Sequence, residues 1–367
     1  MEEKLMKILD LYVARHVLGG FLIVLLVVAG LDMLFALVEE MKDIGGDYTF
    51  GAVVKYVMLT APRRFYEFIP LSSLIGCLLG LGILASSSEL TVMRAAGVST
   101  FGIIVSVMKP VFLIVVMALS LGEFVVPQSE QSAQSHRQVM LTGNSAISDA
   151  SHVWHRDEMT FLHINAVIPD GSVRGLTRYE FNDDLTLARA SFAKTARYNG
   201  QDWELSRIKE TRFPDKRESD DPAAAQLMTS ELESEVWASG LTPELLKVVM
   251  IKPTNLSMSG LLSYGDYLDE QGLASSQYRV AFWSKLLLPV AIFALVIVAV
   301  SFIFGPLRSV TLGQRLITGI IVGLAFKLSQ DVLGPTSAVF GFSPLIAVAA
   351  PIVICIGLGF WLLNRAK

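Results

Sequence analysis

Six long apolar segments alternate with polar stretches along the chain, and their lengths give the first expectation. They cover residues 17–38, 65–85, 101–126, 281–304, 316–333 and 342–363. A helix of about 20 residues crosses a hydrocarbon core about 30 Å thick. The first run is too long for a cleavable signal, and residues 39–42, where small residues would be needed, include two glutamates and a lysine. The pattern predicts six transmembrane helices, three before and three after a polar region.

That polar region, residues 128–259, has a different periodicity. Apolar and polar residues alternate at 160–164 and 173–181, as on strands with one buried face. Asn199-Gly200 separates two further runs and is a strong hairpin signal. Short strands at this spacing predict a sandwich, a jelly roll or an open curved sheet. We expect transmembrane helices 1–3 in residues 1–127, an all-β, jelly-roll-like domain in 128–259 and transmembrane helices 4–6 in 260–367.

Composition narrows the class of protein. The 367 residues are 52% hydrophobic and 17% charged, with a net charge of −4. A charged fraction this low is atypical of a soluble domain, and the charge balance does not favour a nucleic-acid partner. Cys77 and Cys355 both lie in apolar segments, so we expect no disulfide framework in the β-domain.

The motifs of catalysis are missing from the sequence. It contains no P-loop, no His-Glu-x-x-His and no Gly-x-Ser-x-Gly. His152, His155 and His163 fall in the β-region, but two histidines three apart on a strand point to opposite faces and suit one metal ion poorly. We expect a non-catalytic subunit with no cofactor and no metal of its own.

Lysine and arginine near the span ends indicate an orientation, because cytoplasmic segments carry an excess of them. With the N-terminus inside, eight basic residues fall on the cytoplasmic side and four outside. We therefore expect both termini in the cytoplasm and the β-domain outside it. The eight are Lys4, Lys7, Arg15, Arg94, Arg308, Arg315, Arg365 and Lys367, and the four are Lys42, Lys55, Arg63 and Arg64.

A short segment between the second and third spans is the most informative. Ser86 and Glu89 have capping-box spacing, Gly97 is placed for a left-handed C-cap, and Ser99 or Thr100 can cap the next helix. The segment predicts a short surface helix at about 86–97. It either connects two spans or docks on a cytoplasmic ATPase, with Glu89 as a charged contact and Leu90 and Met93 on an apolar stripe.

Ionisable residues in or beside the spans form a second set, since a charge at bilayer depth is costly and usually faces a bundle interior or cavity. Lys327 and Asp331 either pair with each other at i, i+4 or line a polar cavity. Basic residues near the outer surface either snorkel to headgroups or form an electropositive entrance for a phosphorylated amphiphile. The ionisable residues in or beside the spans are Asp32, Lys109, Glu123, Lys285, Lys327 and Asp331, and the basic residues near the outer surface are Lys42, Arg63 and Arg64.

A family resemblance covers essentially the whole chain: six spans split three and three, a β-domain between them, and several short stretches carry it. Residues 88–97 (SELTVMRAAG) and 301–309 (SFIFGPLRS) resemble the LptF/LptG lipopolysaccharide-export permeases, and residues 79–85, 122–128 and 283–285 are more like the LptG branch. The resemblance implies a bacterial (Gram-negative) inner-membrane permease that forms a heterodimer with an LptF-like subunit and binds two copies of an LptB-like ATPase, which uses ATP and Mg. It further implies extraction of lipopolysaccharide and its transfer through the periplasmic β-domain toward an LptC- and LptA-like bridge. Glu89 would be the coupling acid with Arg94 nearby, and Lys42 and Arg63 would lie near the lipid entrance.

Two other functions stay open at this point. An ion-coupled secondary transporter would use Asp32, Lys327 and Asp331 in the apolar runs. A non-transporting scaffold or mechanotransmission subunit would have an apolar bundle with no lipid-sized cavity and would only pull a periplasmic partner.

Overall fold

The computed structural model describes residues 2–142, 153–157, 159–167, 171–213, 227–239, 242–243, 246, 252–270, 273–305 and 310–365. Six helical stretches in these residues are long and apolar enough to cross a membrane, which confirms the predicted membrane part. The helices are α1 (Glu2–Glu40), α2 (Phe50–Ser86), α3 (Glu89–Ala95), α4 (Thr100–Ser120), α5 (Val126–Thr142), α6 (Met258–Glu270), α7 (Ser276–Phe304), α8 (Leu312–Phe340) and α9 (Pro344–Arg365).

Several helices extend beyond the apolar segments that predicted them. Hydropathy marks only the part of a helix that needs an apolar environment, whereas its backbone hydrogen bonds continue into polar surroundings. Thus α4 continues through a π-helical turn, Leu121–Val125, into α5, which ends at Thr142. The domain boundary expected at residue 128 lies within α5, and the first strand among the described residues begins at Val153.

The bundle is built around α2 and α7. In the most apolar windows of these helices 67% and 61% of residues are buried, against 17% for α1 and for α8. One stripe of α1, with residues four apart, enters the common core, while its other sides and those of α8 present exposed leucine, isoleucine and phenylalanine. The stripe consists of Val13, Val17, Phe21 and Leu25, and Ala29, one turn further along, is also buried.

Glycines bring α1 and α2 into backbone contact. A Cβ on Gly76 would overlap the backbone of Phe21, and one on Gly80 would overlap the carbonyl of His16. Gly20 of α1 likewise has no room for a Cβ, because the carbonyl of Gly76 lies there. Small residues four apart allow such close approach between membrane helices. The spacing Gly76-x-x-x-Gly80 is the sequence signal for this contact, which was not predicted.

The polar region folds into a β-domain, as predicted. Consecutive strands pair antiparallel in the order β1-β2-β3-β4-β5-β6. A jelly roll requires Greek-key connections between two sheets. The strands that the structure describes have none and form an open meander, the third of the predicted alternatives. They are β1 (Val153–Asp157), β2 (Thr160–Val167), β3 (Val173–Phe181), β4 (Leu187–Tyr198), β5 (Trp203–Arg212) and β6 (Met228–Trp237).

The predicted hairpin at Asn199-Gly200 joins β4 to β5. Tyr198 pairs with Trp203 across the strand ends, so the loop has four residues. Gly200 adopts φ +107°, which a side chain would disfavour. The side-chain carbonyl of Asn199 accepts hydrogen bonds from the N–H groups of Gln201 and Asp202, at 3.0 and 2.9 Å. An asparagine that bonds to the backbone two residues ahead is the usual means of closing such a turn.

Candidate functional site

The short helix between the second and third spans is present, but it begins later than predicted. α2 continues to Ser86, whose hydroxyl donates back to the carbonyl of Ile83 at 2.8 Å. The chain then turns at Ser88, which has φ +64°, and α3 begins at Glu89. The predicted capping box of Ser86 and Glu89 is therefore wrong. The reason is that Ser86 still has a carbonyl of its own helix to bond to.

The far end of α3 is as predicted. Gly97 adopts φ +92°, and its N–H donates to the carbonyl of Arg94 at 3.1 Å. The N–H of Val98 donates to the carbonyl of Met93 at 3.1 Å, which completes a Schellman motif. Ser99 caps α4 by accepting from the N–H of Gly102 at 3.0 Å. These bonds delimit a seven-residue helix between two long spans.

The two faces of α3 have different environments. Leu90 is only 4% exposed and belongs to the bundle core, and Met93 packs against that core. Leu90 therefore cannot supply docking surface in this arrangement, contrary to the prediction. Val92 is 66% exposed, and Arg94 lies exposed on the outside of the helix. Burying the apolar stripe fixes α3 on the bundle and leaves the other face open to a partner.

Glu89 is held by two hydroxyl groups. Tyr12 of α1 donates to Oε2 at 2.7 Å, and Ser87 donates to Oε1 at 2.8 Å. The Tyr12 bond first, and the Ser87 bond second, lower the pKa of the Glu89 carboxyl from its ordinary value, so it is a carboxylate at neutral pH. Tyr12 was not predicted as a partner of Glu89, because the two residues are 77 positions apart in the chain.

The predicted basic cluster at the β-domain end is mostly paired with carboxylates. Arg64 is buried and forms an ion pair with Asp32 of α1. Arg63 Nε lies 3.3 Å from Glu130 Oε2, although the two atoms are not aligned for a hydrogen bond. Lys42 is exposed in the short turn after α1 and has no ion pair with the described residues. Of the three basic residues, Lys42 is the most available to a ligand.

The pair Lys327 and Asp331 forms as predicted, with Nζ and Oδ2 3.5 Å apart. A second carboxylate was not predicted: Glu67 of α2 accepts from Lys327 Nζ at 2.9 Å. These groups lie between α2 and α8. The ammonium is thus compensated by two carboxylates within the span, as a charge at this depth requires.

Lys285 is the most buried of the predicted intramembrane charges, at 5% exposure. Its Nζ donates to the carbonyl of Gly122 at 2.7 Å, inside the π-helical turn, and lies 5.6 Å from the ring centre of Tyr66. A π-turn leaves carbonyl groups without their usual helical donor, and Lys285 supplies one. In the same turn, Glu123 accepts from the N–H of Met258 at 2.9 Å and so ties this level of the bundle to the start of α6.

An acidic and basic network at the β-domain end was not predicted. Arg137 of α5 forms an ion pair with Glu40 and donates to Asp43 at 2.6 Å. Tyr48 donates to the same glutamate at 3.1 Å. Arg137 and Glu40 are 97 positions apart in the chain, so no short-range spacing encodes their contact. The network joins the first span to the helix that leads into the β-domain.

A second ion cluster lies on the sheet. Arg178, 2% exposed, donates to Glu235 at 2.6 Å, and Arg189 donates to Glu235 at 2.9 Å. Arg189 also forms an ion pair with Glu210, with Nη2 and Oε2 2.5 Å apart. Burial opposes ionisation of Glu210, but the Ser230 hydroxyl and the Arg189 guanidinium together lower its pKa. Removing one partner of such a buried ion pair is strongly destabilising, because the other charge is left buried without compensation. The cluster therefore fixes β3, β4, β5 and β6 in one arrangement.

Metal ligation has no support in the part of the chain that the structure describes. No group of three or more histidine, cysteine, aspartate or glutamate side chains there could hold an ion. His163 lies on β2, with its ring centre 4.9 Å from that of Trp154. His152 and the side chain of His155 lie outside the described residues.

Comparison with known proteins identifies the family. Residues 11–365 match the family model described as lipopolysaccharide export system permease LptF/LptG. The chain is 34% identical over 362 residues to the lipopolysaccharide export system permease protein LptG of Haemophilus influenzae, covering 98% of this chain and 99% of that protein. It is also 34% identical over 361 residues to LptG of Escherichia coli K12, covering 98% of each. With six spans, an inserted β-domain and a match over nearly its whole length, the chain belongs to the LptF/LptG family of lipopolysaccharide export system permeases.

Proposed function

We propose that this chain is the LptG-like permease subunit of an ABC transporter that extracts lipopolysaccharide from the outer leaflet of the inner membrane. Its relatives are named for lipopolysaccharide export, and the similarity covers the bundle and the β-domain together. The exposed apolar sides of α1 and α8 provide surfaces for lipid and for a second, LptF-like permease subunit. The β-domain then passes lipopolysaccharide to a periplasmic bridge of LptC- and LptA-like proteins.

The proposed orientation places the α3 end of the bundle and both termini in the cytoplasm, with the β-domain in the periplasm. The excess of lysine and arginine in the segments on the α3 side supports this choice. A Gram-negative inner membrane is the setting that the family implies.

The proposed source of energy is an LptB-like ATPase dimer, which binds ATP and Mg. The sequence of this chain contains no P-loop. The observation that carries the proposal is α3. It is a short helix with firm ends, an apolar stripe anchored in the bundle and an ionised Glu89 at its start. ATP binding closes the ATPase dimer, α3 moves with it, and the cavity between the two permease subunits narrows. The chain itself is not an enzyme.

Replacing Glu89 with alanine tests the coupling role. We expect reconstituted complexes to release lipopolysaccharide at about one tenth of the parent rate or less, because a charge-assisted contact is worth about 1.5–3 kcal/mol. The measurements are co-purification with the tagged ATPase and lipopolysaccharide release from proteoliposomes. Thr91→Ala is the matched control, since Thr91 is exposed on the same helix. Normal co-purification together with undiminished transport in Glu89→Ala would contradict the proposal.

The lipid entrance is proposed at the β-domain end, around Lys42 with Arg63 and Arg64. Because Arg63 and Arg64 already face carboxylates, Lys42 is the first candidate for a phosphate group. A photo-crosslinking residue at position 42 should capture lipopolysaccharide, whereas one at Lys55, an exposed lysine near the same end, should not. Lys42→Ala should lower lipopolysaccharide-stimulated ATP hydrolysis by about two- to fivefold, as expected for an exposed charge contact. Equal capture at both positions would rule out this entrance.

An ion-coupled transporter receives less support, because its candidate groups have fixed partners. Asp32 is paired with Arg64, and Lys327 with Glu67 and Asp331. Ion-gradient-driven movement of lipopolysaccharide by the purified chain alone would reinstate that alternative. A scaffold that does not transport would be indicated if the purified complex never retains lipopolysaccharide.

A further inference from the structure

The carboxylate of Glu89 is oriented by the chain itself before any partner binds. Each of its oxygens accepts one hydroxyl donor, from Tyr12 and from Ser87. Ser87 lies in the turn just before α3, so its bond is local. Tyr12 lies in α1, so its bond is the one that ties the start of α3 to another span.

Tyr12 lies on a part of α1 that is held by contacts with α4 and α2. Two residues before Tyr12, Asp10 forms an ion pair with Lys109 of α4 and accepts from the Ser106 hydroxyl at 2.6 Å. On the other side, the ring of His16 stands 4.5 Å from that of Tyr12. The carbonyl of His16 is in close contact with Gly80 of α2. The tyrosine is therefore anchored through α1 to both neighbouring spans.

An acid that docks on a partner gains from such support. A glutamate side chain has several rotatable bonds, and immobilising it at an interface costs conformational entropy. A hydroxyl that already holds one oxygen removes part of this cost while leaving lone pairs of the carboxylate for a donor from the partner. Tyr12 remains partly exposed, and its hydroxyl reaches Glu89 at the start of α3.

We propose that Tyr12 is the positioning residue of Glu89: its hydroxyl holds the carboxylate in the orientation in which the ATPase binds it. The inference rests on the proposed function, since it assumes that Glu89 contacts the ATPase. It adds a second span, α1, to the docking site. Tyr12 acts through Glu89 and needs no contact of its own with the partner.

The test measures affinity rather than assembly alone. ATPase is titrated onto the purified permease complex freed of its ATPase, for the parent, Tyr12→Phe, Glu89→Ala and the double variant. We expect Tyr12→Phe to raise the dissociation constant by about three- to tenfold. In the Glu89→Ala background the same change should have no further effect, because the hydroxyl has lost its acceptor. Ser106→Ala is the matched control, as it removes a hydrogen bond from the same part of α1 and leaves Glu89 untouched.

Three results would overturn the inference: an unchanged dissociation constant in Tyr12→Phe, an equal loss in Ser106→Ala, or an undiminished effect of Tyr12→Phe in the Glu89→Ala background. If Tyr12→Phe also lowers the midpoint of thermal unfolding, the double variant separates a structural role from a positioning role. A purely structural effect of Tyr12→Phe on the dissociation constant would remain in the Glu89→Ala background, because it does not depend on the carboxylate. If Glu89→Ala alone binds the ATPase normally, the proposed coupling role fails first. If Glu89→Ala weakens binding and Tyr12→Phe does not, only the role of Tyr12 is refuted.

Discussion

Gly80→Ala is expected to destabilise the bundle by about 3 kcal/mol or more, although it adds a single methyl group. The new Cβ would overlap the backbone of His16, and α1 can move away only by giving up its packed stripe. In an open helical position the same change would be favourable by up to about 1 kcal/mol, because alanine is a better helix former than glycine. The free energy of unfolding of the full-length protein in detergent micelles measures the difference.

Gly19→Ala is the control for this prediction. It places the same substitution on α1, next to the contact, at a position where a Cβ meets no atom within 4 Å. We expect it to be neutral or slightly stabilising. Equal behaviour of Gly80→Ala and Gly19→Ala would show that the two backbones are not in contact.

Lys285→Met is the second substitution with a large expected effect. Methionine has a similar length but no donor, so the Gly122 carbonyl would be left without its partner in a buried part of the span. An unsatisfied buried polar group costs about 1–3 kcal/mol, and we expect a loss of about that size. Removing a buried ammonium offsets part of it, but nearby Glu123 would at the same time lose its countercharge.

The consequence for α5 can be measured separately. Without Lys285 the π-turn loses its stabilising donor, so amide hydrogen exchange in the following helix should become faster. Lys285→Arg retains a cationic donor and should restore part of the stability. Lys55→Met, at an exposed position, should change neither quantity. A Lys285→Met protein as stable as the parent, with unchanged exchange in α5, would contradict the assigned role.

The number of spans and the presence of a β-domain could be predicted because each follows from local periodicity. Apolar runs of sufficient length specify membrane helices, and alternation specifies strands. Helix ends were less predictable. Ser86 has the spacing of a cap, but its hydroxyl bonds within α2 because that helix does not stop there. At Gly97 the prediction is correct, since a positive φ is a property of one residue and its immediate neighbours.

The partners of the candidate site residues could not be predicted, because they come from distant parts of the chain. Arg64 meets Asp32, and Lys327 meets Glu67, across helix contacts that no short-range spacing encodes. From the sequence, Lys42, Arg63 and Arg64 suggested a free site for an anion. In the structure, Arg63 lies near the carboxylate of Glu130 and Arg64 near that of Asp32. Among these ion pairs, the one between Lys327 and Asp331 could be predicted, because residues four apart lie on the same face of a helix.

The continuity of α4 and α5 has a mechanical consequence. From Thr100 to Leu141 the chain forms one helical rod of 42 residues, about 60 Å long at about 1.5 Å per residue. Its first residues follow α3 in the chain, its last part contacts the β-domain, and Lys285 holds the turn between α4 and α5. A rigid tilt of the rod about that turn would therefore move its two ends in opposite directions. A tilt of about 5° over that length displaces one end relative to the other by about 5 Å, which is one helical turn.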